Sequence, residues 1–474
     1  MKLYKVNYRI FFPLFIAIMS SNCKKLVEID PPKSTITTTQ VFATDAEATA
    51  AISGVYFKMI NNYSHSMFNG GITIACGLSS DELLLYNTTI SDYYQLYSNA
   101  LTSNNGIISS NLWTAAFSYV YNINAVIEGL ENSTTIRDSV KNEIMGEAKF
   151  IRAFTNFYLL NLFGDIPLVT TTNWRQTSLL SRTSLSDVYK FILTDLKDAQ
   201  DELPLTYTVG KGERIVPNKW AVTAFLARVY LYLKDWKNAE IQASELLKSG
   251  SPFSLTSDLD NVFKPNSSEA IWQLKQDNTS YTYNGTQEGS RFVPGNNAAP
   301  FFFLTDQVLN SFSSADKRKV AWTKSLVYAG STYYYPFKYK IGASQAVVNG
   351  AYSEYYTVFR LAEQYLIRSE ARAQQDNLIG AISDLNATRT RAGLSILGSS
   401  LTKKEVLDSL ENEKRIELFC EWGHRWFDLN RNGHADSVLG AIKGVNWQSS
   451  DKLYPIPLSE LAVDPNLTQN PGYN

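Results

Sequence analysis

Apolar side chains recur at helical spacing along most of the chain. Trp113, Phe117, Val120, Ile127 and Leu130 follow one another at intervals of three, four or seven positions, which places them on one face of a helix. A similar stripe comes next along the chain. Its members are Ile144, Ala148, Ile151, Phe154 and Tyr158. The pattern therefore predicts two amphipathic helices in succession.

Start and stop signals bound the predicted helices. Gly164 suits the left-handed position that ends a helix, and Pro167 cannot continue one. Ser184 and Asp187 have the spacing of a capping pair and predict the start of another helix. Residues 218–252 and 365–393 each resemble two helices joined by a turn. The predicted fold class is mainly α, with stacked helical hairpins.

The helical pattern fades between residues 251 and 350, where Asn, Ser, Gly and Pro are frequent. Long irregular stretches inside a compact protein are usually functional or disordered, and the aromatic content here argues against disorder. We expect long loops with short strands in this stretch. The predicted divisions are a helical-hairpin region at 41–250, a loop-rich ligand-binding insertion at 251–350, and C-terminal hairpins with a closing tail at 351–474.

The N-terminus carries an apolar run from Ile10 to Met19, which is half the roughly 20 residues that a bilayer-spanning helix needs. Basic residues precede this run and small residues follow it, as in a signal peptide. Cys23 stands where bacterial lipoproteins are acylated, and the alternative is a chance cysteine near an ordinary secretory cleavage site. We predict a signal peptide at 1–22 and a lipid anchor with its tether at 23–40.

Charge and composition restrict the possible partners. The chain has 44 Lys and Arg against 45 Asp and Glu, and a net charge of −1 gives no field that attracts nucleic acid. Beside Cys23 there are only Cys76 and Cys420, too few for a disulfide framework, and Cys420 has the apolar neighbours of a buried free thiol. The three histidines lack the spacing of metal ligands. We predict no metal site and no cofactor.

A charged array lies near the C-terminus. Its members are Arg415, Glu417, Glu421, Arg425, Asp428 and Arg431. One interpretation makes Glu421 and Asp428 the acid and base of a glycosidase. We favour a structural ion-pair network, in which Arg425 compensates Asp428. An arginine within about a turn of each carboxylate keeps it ionised, whereas a general acid needs a raised pKa.

The same array carries a family resemblance. The segment NEKRIELFCEWGHRWFDLNRNG resembles the C-terminal motif of the SusD/RagB family, the surface nutrient-binding lipoproteins of Bacteroidetes, with Trp422 as one extra residue before the glycine. Further blocks agree in order along the chain. They are EAKFIRAFTNFYLLNLFGDIPLV, FLARVYLYLKDW, RLAEQYLIRSEA, LNATRTRAGL and YPIPLSELAVDPNLTQNPGY.

The resemblance implies four tetratricopeptide-like hairpins in a right-handed scaffold, packed against an irregular ligand-bearing part. It also implies a binding protein without enzymatic activity, held at the outer membrane by its lipid and facing the cell exterior. Such proteins capture an oligosaccharide, or in the RagB branch a peptide, and deliver it to a SusC-like TonB-dependent transporter. A secreted glycoside hydrolase and a repeat scaffold that binds only proteins are the other classes left open.

Ligand contacts in this family lie in variable loops, so the candidates are chosen as loop aromatics beside polar residues. They are Tyr86, Tyr93, Tyr94, Tyr97, Tyr281, Tyr283 and Trp322, and the polar residue Asp81 either lines the same edge or caps a helix. Rings stack on the C–H face of a sugar, while polar groups bond its rim. Core packing or contact with the barrel is the alternative for each ring. Because Tyr93 and Tyr94 are adjacent, we expect at most one of them to stack on a given sugar.

Overall fold

Helices dominate the structure, a computed structural model that describes residues 41–61, 66–279 and 284–473. The helices are α1 (Asp45–Ile60), α2 (Ile72–Ser79), α3 (Ser91–Ser98), α4 (Ala115–Asn132), α5 (Asp138–Phe163), α6 (Trp174–Thr177), α7 (Leu185–Glu202), α8 (Lys219–Tyr232), α9 (Trp236–Leu247), α10 (Gln287–Phe292), α11 (Asp306–Ser311), α12 (Lys317–Trp322), α13 (Leu361–Gln374), α14 (Leu378–Arg391), α15 (Lys403–Glu417), α16 (His424–Arg431), α17 (Ala435–Lys443) and α18 (Leu458–Val463). The strands are β1 (Leu83–Leu85), β2 (Ala270–Leu274), β3 (Phe302–Leu304), β4 (Thr323–Tyr328), β5 (Ser331–Pro336) and β6 (Tyr356–Arg360). In this part of the chain every helix is too short or too polar to cross a bilayer.

Helical hairpins form the scaffold, as the apolar spacing predicts. Both predicted stripes are buried, with only Phe117 left partly accessible; they lie on α4 and α5, except for Trp113 in the helical segment Ile107–Thr114 that leads into α4. Helix α5 ends at Gly164, whose φ of +72° favours glycine, and the Ser184 side chain accepts a hydrogen bond from the Asp187 amide (3.3 Å) at the start of α7. The predicted helix boundaries at these two points are therefore confirmed.

The hairpins pack side by side into a continuous stack. Helix α5 packs on α4 and α7, α8 packs on α9, and α9 packs on α13, which in turn pairs with α14. A buried ion pair crosses the stack, because Arg228 of α8 donates from Nε to Glu363 of α13 (2.6 Å). Helices from the N-terminal and C-terminal hairpin regions are thus in direct contact.

Residues 251–350 contribute strands to three two-stranded antiparallel sheets of the described chain. Strand β2 pairs with β6, and every residue of both strands is buried. Strand β1 pairs with β3, so that Leu84 lies opposite Phe303. Strands β4 and β5 form a hairpin. Short strands are therefore present here as expected, and two of the three sheets pair this region with a neighbouring one.

A buried carboxylate, Glu417, joins four elements at the C-terminal end of α15. Arg318 of α12 (2.8 Å), Arg360 of β6 (2.6 Å) and Arg391 of α14 all donate to it, and Glu417 is 0% exposed. Burial alone raises the pKa of a carboxyl, but Arg391, Arg360 and Arg318 hold the pKa of Glu417 well below its usual range. Glu417 is therefore a charged and fully paired group.

The other members of the charged array are also in ion pairs, mostly with residues outside the array. Glu421 bonds Arg360 (2.8 Å), and Arg431 bonds Glu370 (2.6 Å) as well as Asp428 (2.6 Å). The expected direct pairing of Arg425 with Asp428 is not formed, although the charge of Arg425 helps to lower the pKa of Asp428. Arg425 instead binds two carboxylates, Asp81 (2.8 Å) and Glu411 (3.1 Å), because α16 directs its side chain towards the loop before β1.

We predict that Arg425→Ala lowers stability by about 3 kcal/mol, since removing one partner of a buried pair leaves the other uncompensated. Asp81 is 1% exposed, and in the variant it keeps only Arg415 (2.6 Å). Thermal and denaturant unfolding measure the change. Lys404→Ala is the control, because Lys404 also forms an ion pair, with Asp408, but on the exposed surface of α15. Equal stability of the two variants would contradict this assignment.

Candidate ligand-binding site

Four aromatic rings gather where β1, β3 and the β4–β5 hairpin meet. The ring of Tyr86 contacts Tyr328 (5.7 Å between centroids) and Tyr333 (5.5 Å) edge to face, and Tyr333 contacts Phe303 (5.0 Å). All four side chains are partly exposed. We call these four residues the aromatic surface.

Strand geometry explains why these rings face outwards. Phe302 and Leu304 of β3 are buried, and Phe303 between them points the other way. The Tyr86 amide donates to the Phe301 carbonyl (3.2 Å), which extends the β1–β3 pairing by one step. Ala329 and Gly330 have φ of +49° and +81°, as a tight two-residue hairpin turn requires, and this turn sets the register of Tyr328 and Tyr333.

Helix α3 adjoins the aromatic surface through Phe301. The ring of Tyr93 packs edge-on against Phe301 (5.6 Å) and Phe302 (5.2 Å). Tyr94 is 42% exposed and contacts Tyr97 (6.2 Å). Neighbouring side chains on a helix diverge by about 100°, so Tyr94 offers its ring to solvent while Tyr93 supports the layer below.

Polar groups border these rings. Asn87 and Thr89 follow Tyr86 in an exposed turn, where the Asn87 side-chain oxygen accepts hydrogen bonds from the Thr89 amide (3.1 Å) and hydroxyl (2.7 Å). The exposed Thr332 precedes Tyr333 on β5. Apolar ring faces beside amides and hydroxyls suit a ligand that has an apolar face and a hydroxylated rim.

Two of the residues proposed from the sequence do not belong to such a site. Trp322 is 0% exposed, and its indole N–H donates to the Leu259 carbonyl (3.1 Å), so the ring is part of the core. Asp81 is buried between Arg415 and Arg425 and offers no free oxygen to a ligand. The prediction that Trp322 and Asp81 bind ligand is therefore wrong, and both are structural residues.

Three other candidates fall outside the residues that the structure describes. They are Cys23, Tyr281 and Tyr283.

Sequence reasoning missed Phe303, Tyr328 and Tyr333, which complete the aromatic surface. The signal was present in TKSLVYAGSTYYYP, where two β-rich runs flank a turn. Ala-Gly is a weaker hairpin marker than Asn-Gly, and three consecutive tyrosines do not by themselves show which one faces outwards.

A glycosidase site does not fit the charged array. Burial raises the pKa of Glu421, but Arg360 and Lys338 outweigh it and lower that pKa below its usual value. Arg431 and Lys414 likewise lower the pKa of Asp428 against the effect of burial. Neither carboxyl has the raised pKa of a general acid.

Two family profiles match the sequence. Residues 31–231 match the family described as "Starch-binding associating with outer membrane", and residues 320–473 match the one described as "SusD family". The chain belongs to the SusD/RagB family. The resemblance carried by the sequence blocks is thereby confirmed.

Relatives and solved structures agree with this membership. SusD-like protein P2 of Formosa agariphila is 26% identical over 100% of both chains. The starch-binding protein SusD of Bacteroides thetaiotaomicron is 23% identical over 73% of this chain and 74% of its own.

The fold of the chain is also that of solved SusD-like structures. A laminarin-binding SusD-like protein has a TM-score of 0.76 at 22% identity, covering 90% of this chain and 99% of that one. Surface glycan-binding protein A of Bacteroides thetaiotaomicron, in complex with laminarihexaose, has a TM-score of 0.75 at 19% identity over 90% and 99%. At these identities the solved structures establish the fold, and the predicted mainly helical class is confirmed.

Beside Asp81, this SusD-family chain buries a second carboxyl just before β1. Glu82 is 1% exposed, and its Oε1 accepts a hydrogen bond from the Cys420 amide (3.3 Å). Burial, with a smaller contribution from Asp81, raises the pKa of Glu82 to about 8. The folded protein therefore keeps a proton on Glu82 at pH values where the unfolded chain has lost it.

We predict that Glu82→Gln weakens the pH dependence of stability between about pH 5 and pH 8. In the wild type the folded pKa lies above the unfolded value, so the contribution of Glu82 to stability is present below the unfolded pKa and is lost as pH rises to about 8. Glutamine keeps the acceptor for Cys420 without titrating. Denaturant unfolding at both pH values measures this, and parallel pH profiles for the two proteins would refute it.

Proposed function

We propose that this protein is a cell-surface binding lipoprotein that captures a neutral oligosaccharide and passes it to a SusC-like TonB-dependent transporter of the outer membrane. The observation that carries the proposal is the cluster of partly exposed rings of Tyr86, Tyr328 and Tyr333 in a chain of the SusD/RagB family. The binding site is the aromatic surface, extended by Tyr94 of α3.

The chemistry of the site supports a sugar ligand. A sugar ring has an apolar face that stacks on an aromatic ring, and stacking adds roughly 0.5–1.5 kcal/mol per ring beyond the area buried. Edge-to-face contacts hold Tyr86 and Tyr333 in place before the ligand arrives, so little side-chain freedom is lost on binding.

The relatives support the same ligand class. One is named a starch-binding protein, and one solved relative is described in complex with laminarihexaose. Both names refer to neutral glucose polymers, whose only polar groups are hydroxyl and ether oxygens. A partly exposed surface of aromatic rings suits ligand binding. A charged array whose members are all in ion pairs does not suit catalysis.

Anchoring is the second part of the proposal. Acylation at Cys23 places the folded domain at the membrane through a tether that includes Pro31 and Pro32. The family profile that matches residues 31–231 is described as associating with the outer membrane, which supports this location.

We predict that Tyr333→Ala weakens binding of starch-derived or laminarin-derived oligosaccharides by about 1 kcal/mol, because it removes one stacking ring. Tyr334→Ala is the matched control. Tyr334 is the next residue of β5, is 39% exposed, and faces the opposite side of the strand. Calorimetry against both oligosaccharide series measures the difference.

Two results of this comparison would count against the site or the function. If both variants bind with the same affinity as the wild type, the aromatic surface is not the binding site. Binding of a peptide library, with no binding of either oligosaccharide series, would replace the oligosaccharide by a peptide ligand.

We predict that Cys23→Ala abolishes incorporation of labelled palmitate, since acylation requires the cysteine sulfur. The folded domain begins beyond the tether, so the melting temperature of the variant should equal that of the wild type. Cys76→Ala serves as the labelling control, because this thiol is buried in the core and should leave acylation intact. Continued labelling of the Cys23 variant would overturn the anchor.

A further inference from the structure

A groove flanks the exposed side of α1. Its residues are distant in sequence from the four rings of the aromatic surface and have no described ring contact with them. One cleft of about 330 Å³ is lined by α1, Tyr352 and the end of β2, and another of about 440 Å³ is lined by α1, Ser110 and Ser118. Phe57 and Asn61 line both clefts, so the two adjoin at the ring of Phe57. We call the combined feature the Phe57 groove.

The ring at the centre of the groove is unusually accessible for a phenylalanine. Phe57 is 52% exposed, whereas the apolar side chains on the inner face of α1, such as Ile52, Val55 and Met59, are at most 2% exposed. Phe57 therefore contributes little to the core. Its position between two clefts distinguishes it from a single exposed apolar residue, which by itself needs no explanation.

The charged groups along the groove are already satisfied. Lys275 pairs with Glu213 (2.8 Å), and Lys58 donates to the Asn122 side-chain oxygen (3.0 Å). The Asp277 carboxylate accepts an amide (3.0 Å) and a hydroxyl (2.7 Å) from the turn that follows it. Lys58 and Asp277 are hydrogen-bonded only to neutral groups, but they carry opposite charges, so the charged groups of the groove and Glu213 together have no net charge, which favours a neutral ligand over an ionic one.

One buried polar atom of the groove has no partner. Gln276 lines the first cleft and is 2% exposed; its side-chain nitrogen donates to the Glu354 carbonyl (3.1 Å). Its Oε1 has no hydrogen-bond partner among the residues that the structure describes. A buried acceptor left without a donor is unfavourable, and because this oxygen is enclosed, a ligand hydroxyl can supply the missing donor only when the Gln276 side chain turns towards the cleft.

We propose that the Phe57 groove is a second contact site for neutral oligosaccharide, with Phe57 as its stacking ring, Tyr352 as a wall, and Gln276 with the groove hydroxyls as polar partners. This inference rests on the proposed function, because it assigns the same ligand class to a further surface. A polymer that occupies both surfaces gains avidity, since binding at one raises the effective concentration of chain at the other.

The rings beside the Phe57 groove are separate from those of the aromatic surface. Tyr352 packs against Tyr355 (5.4 Å) beneath Lys275 (5.0 Å from the ring centroid), so a fixed ring forms one side of the groove. None of these residues contacts the four rings of the aromatic surface among the described ring contacts. Each site can therefore be removed while the other is kept.

Affinity gel electrophoresis of the purified protein in gels containing laminarin or soluble starch tests the proposal. One of the two polymers should retard the wild type. Phe57→Ala should weaken the affinity for that polymer roughly two- to tenfold, which is the effect of losing one stacking ring. Trp174→Ala is the control, because Trp174 is a 64% exposed ring that lines neither cleft. Thermal unfolding checks that both variants remain folded.

The Tyr333→Ala variant run in parallel separates the two proposals. Retention of Phe57→Ala equal to the wild type, together with reduced retention of Tyr333→Ala, would overturn the Phe57 groove and leave the proposed function standing. Reduced retention of Phe57→Ala alone would support the groove and displace the aromatic surface as the main site. Absence of wild-type retention by either polymer would reject both.

Discussion

Three guanidinium groups, on α12, β6 and α14, converge on the buried carboxylate of Glu417 at the end of α15. Removing such charges from water is expensive, and only simultaneous pairing offsets the loss. Each arginine can reach Glu417 only when its own element is in place. The ion pairs therefore specify how α12, β6, α14 and α15 fit together. Apolar packing alone would tolerate more than one arrangement of these elements.

Buried polar contacts made by the C-terminal motif also position the proposed ligand site. Asp81 and Glu82, directly before β1, are held by Arg415, Arg425 and the Cys420 amide, all from the C-terminal motif. Strand β1 then pairs with β3, and β3 packs against the β4–β5 hairpin that carries two of the exposed rings. Buried ionic and polar contacts in the core thus support the strands that carry the surface rings.

Local patterns were predictable and long-range pairings were not. The stripes on α4 and α5, the end of α5 at Gly164 and the cap at Ser184 depend on neighbouring residues, so spacing alone revealed them. Arg425 finds its partner Asp81 at a separation of 344 residues, which no helical periodicity encodes. Exposure is equally non-local. Trp322 and Tyr333 are aromatic residues only eleven positions apart, yet the first is buried by tertiary packing and the second is partly exposed.

Because the charged groups lie in the core and the rings at the surface, substitutions at the two kinds of position differ in their effect on stability. Val327 is 73% exposed on β4, and the outward positions of the β4–β5 hairpin contribute little to the core. Substitutions there alter ring placement at small cost in stability, because exposed positions tolerate change within about 0.5 kcal/mol. A change at Asp81 or Glu417 instead leaves buried charges unpaired. The fold can therefore keep the buried charged motif, which lies within the matched family segment 320–473, while the proposed ligand surface changes.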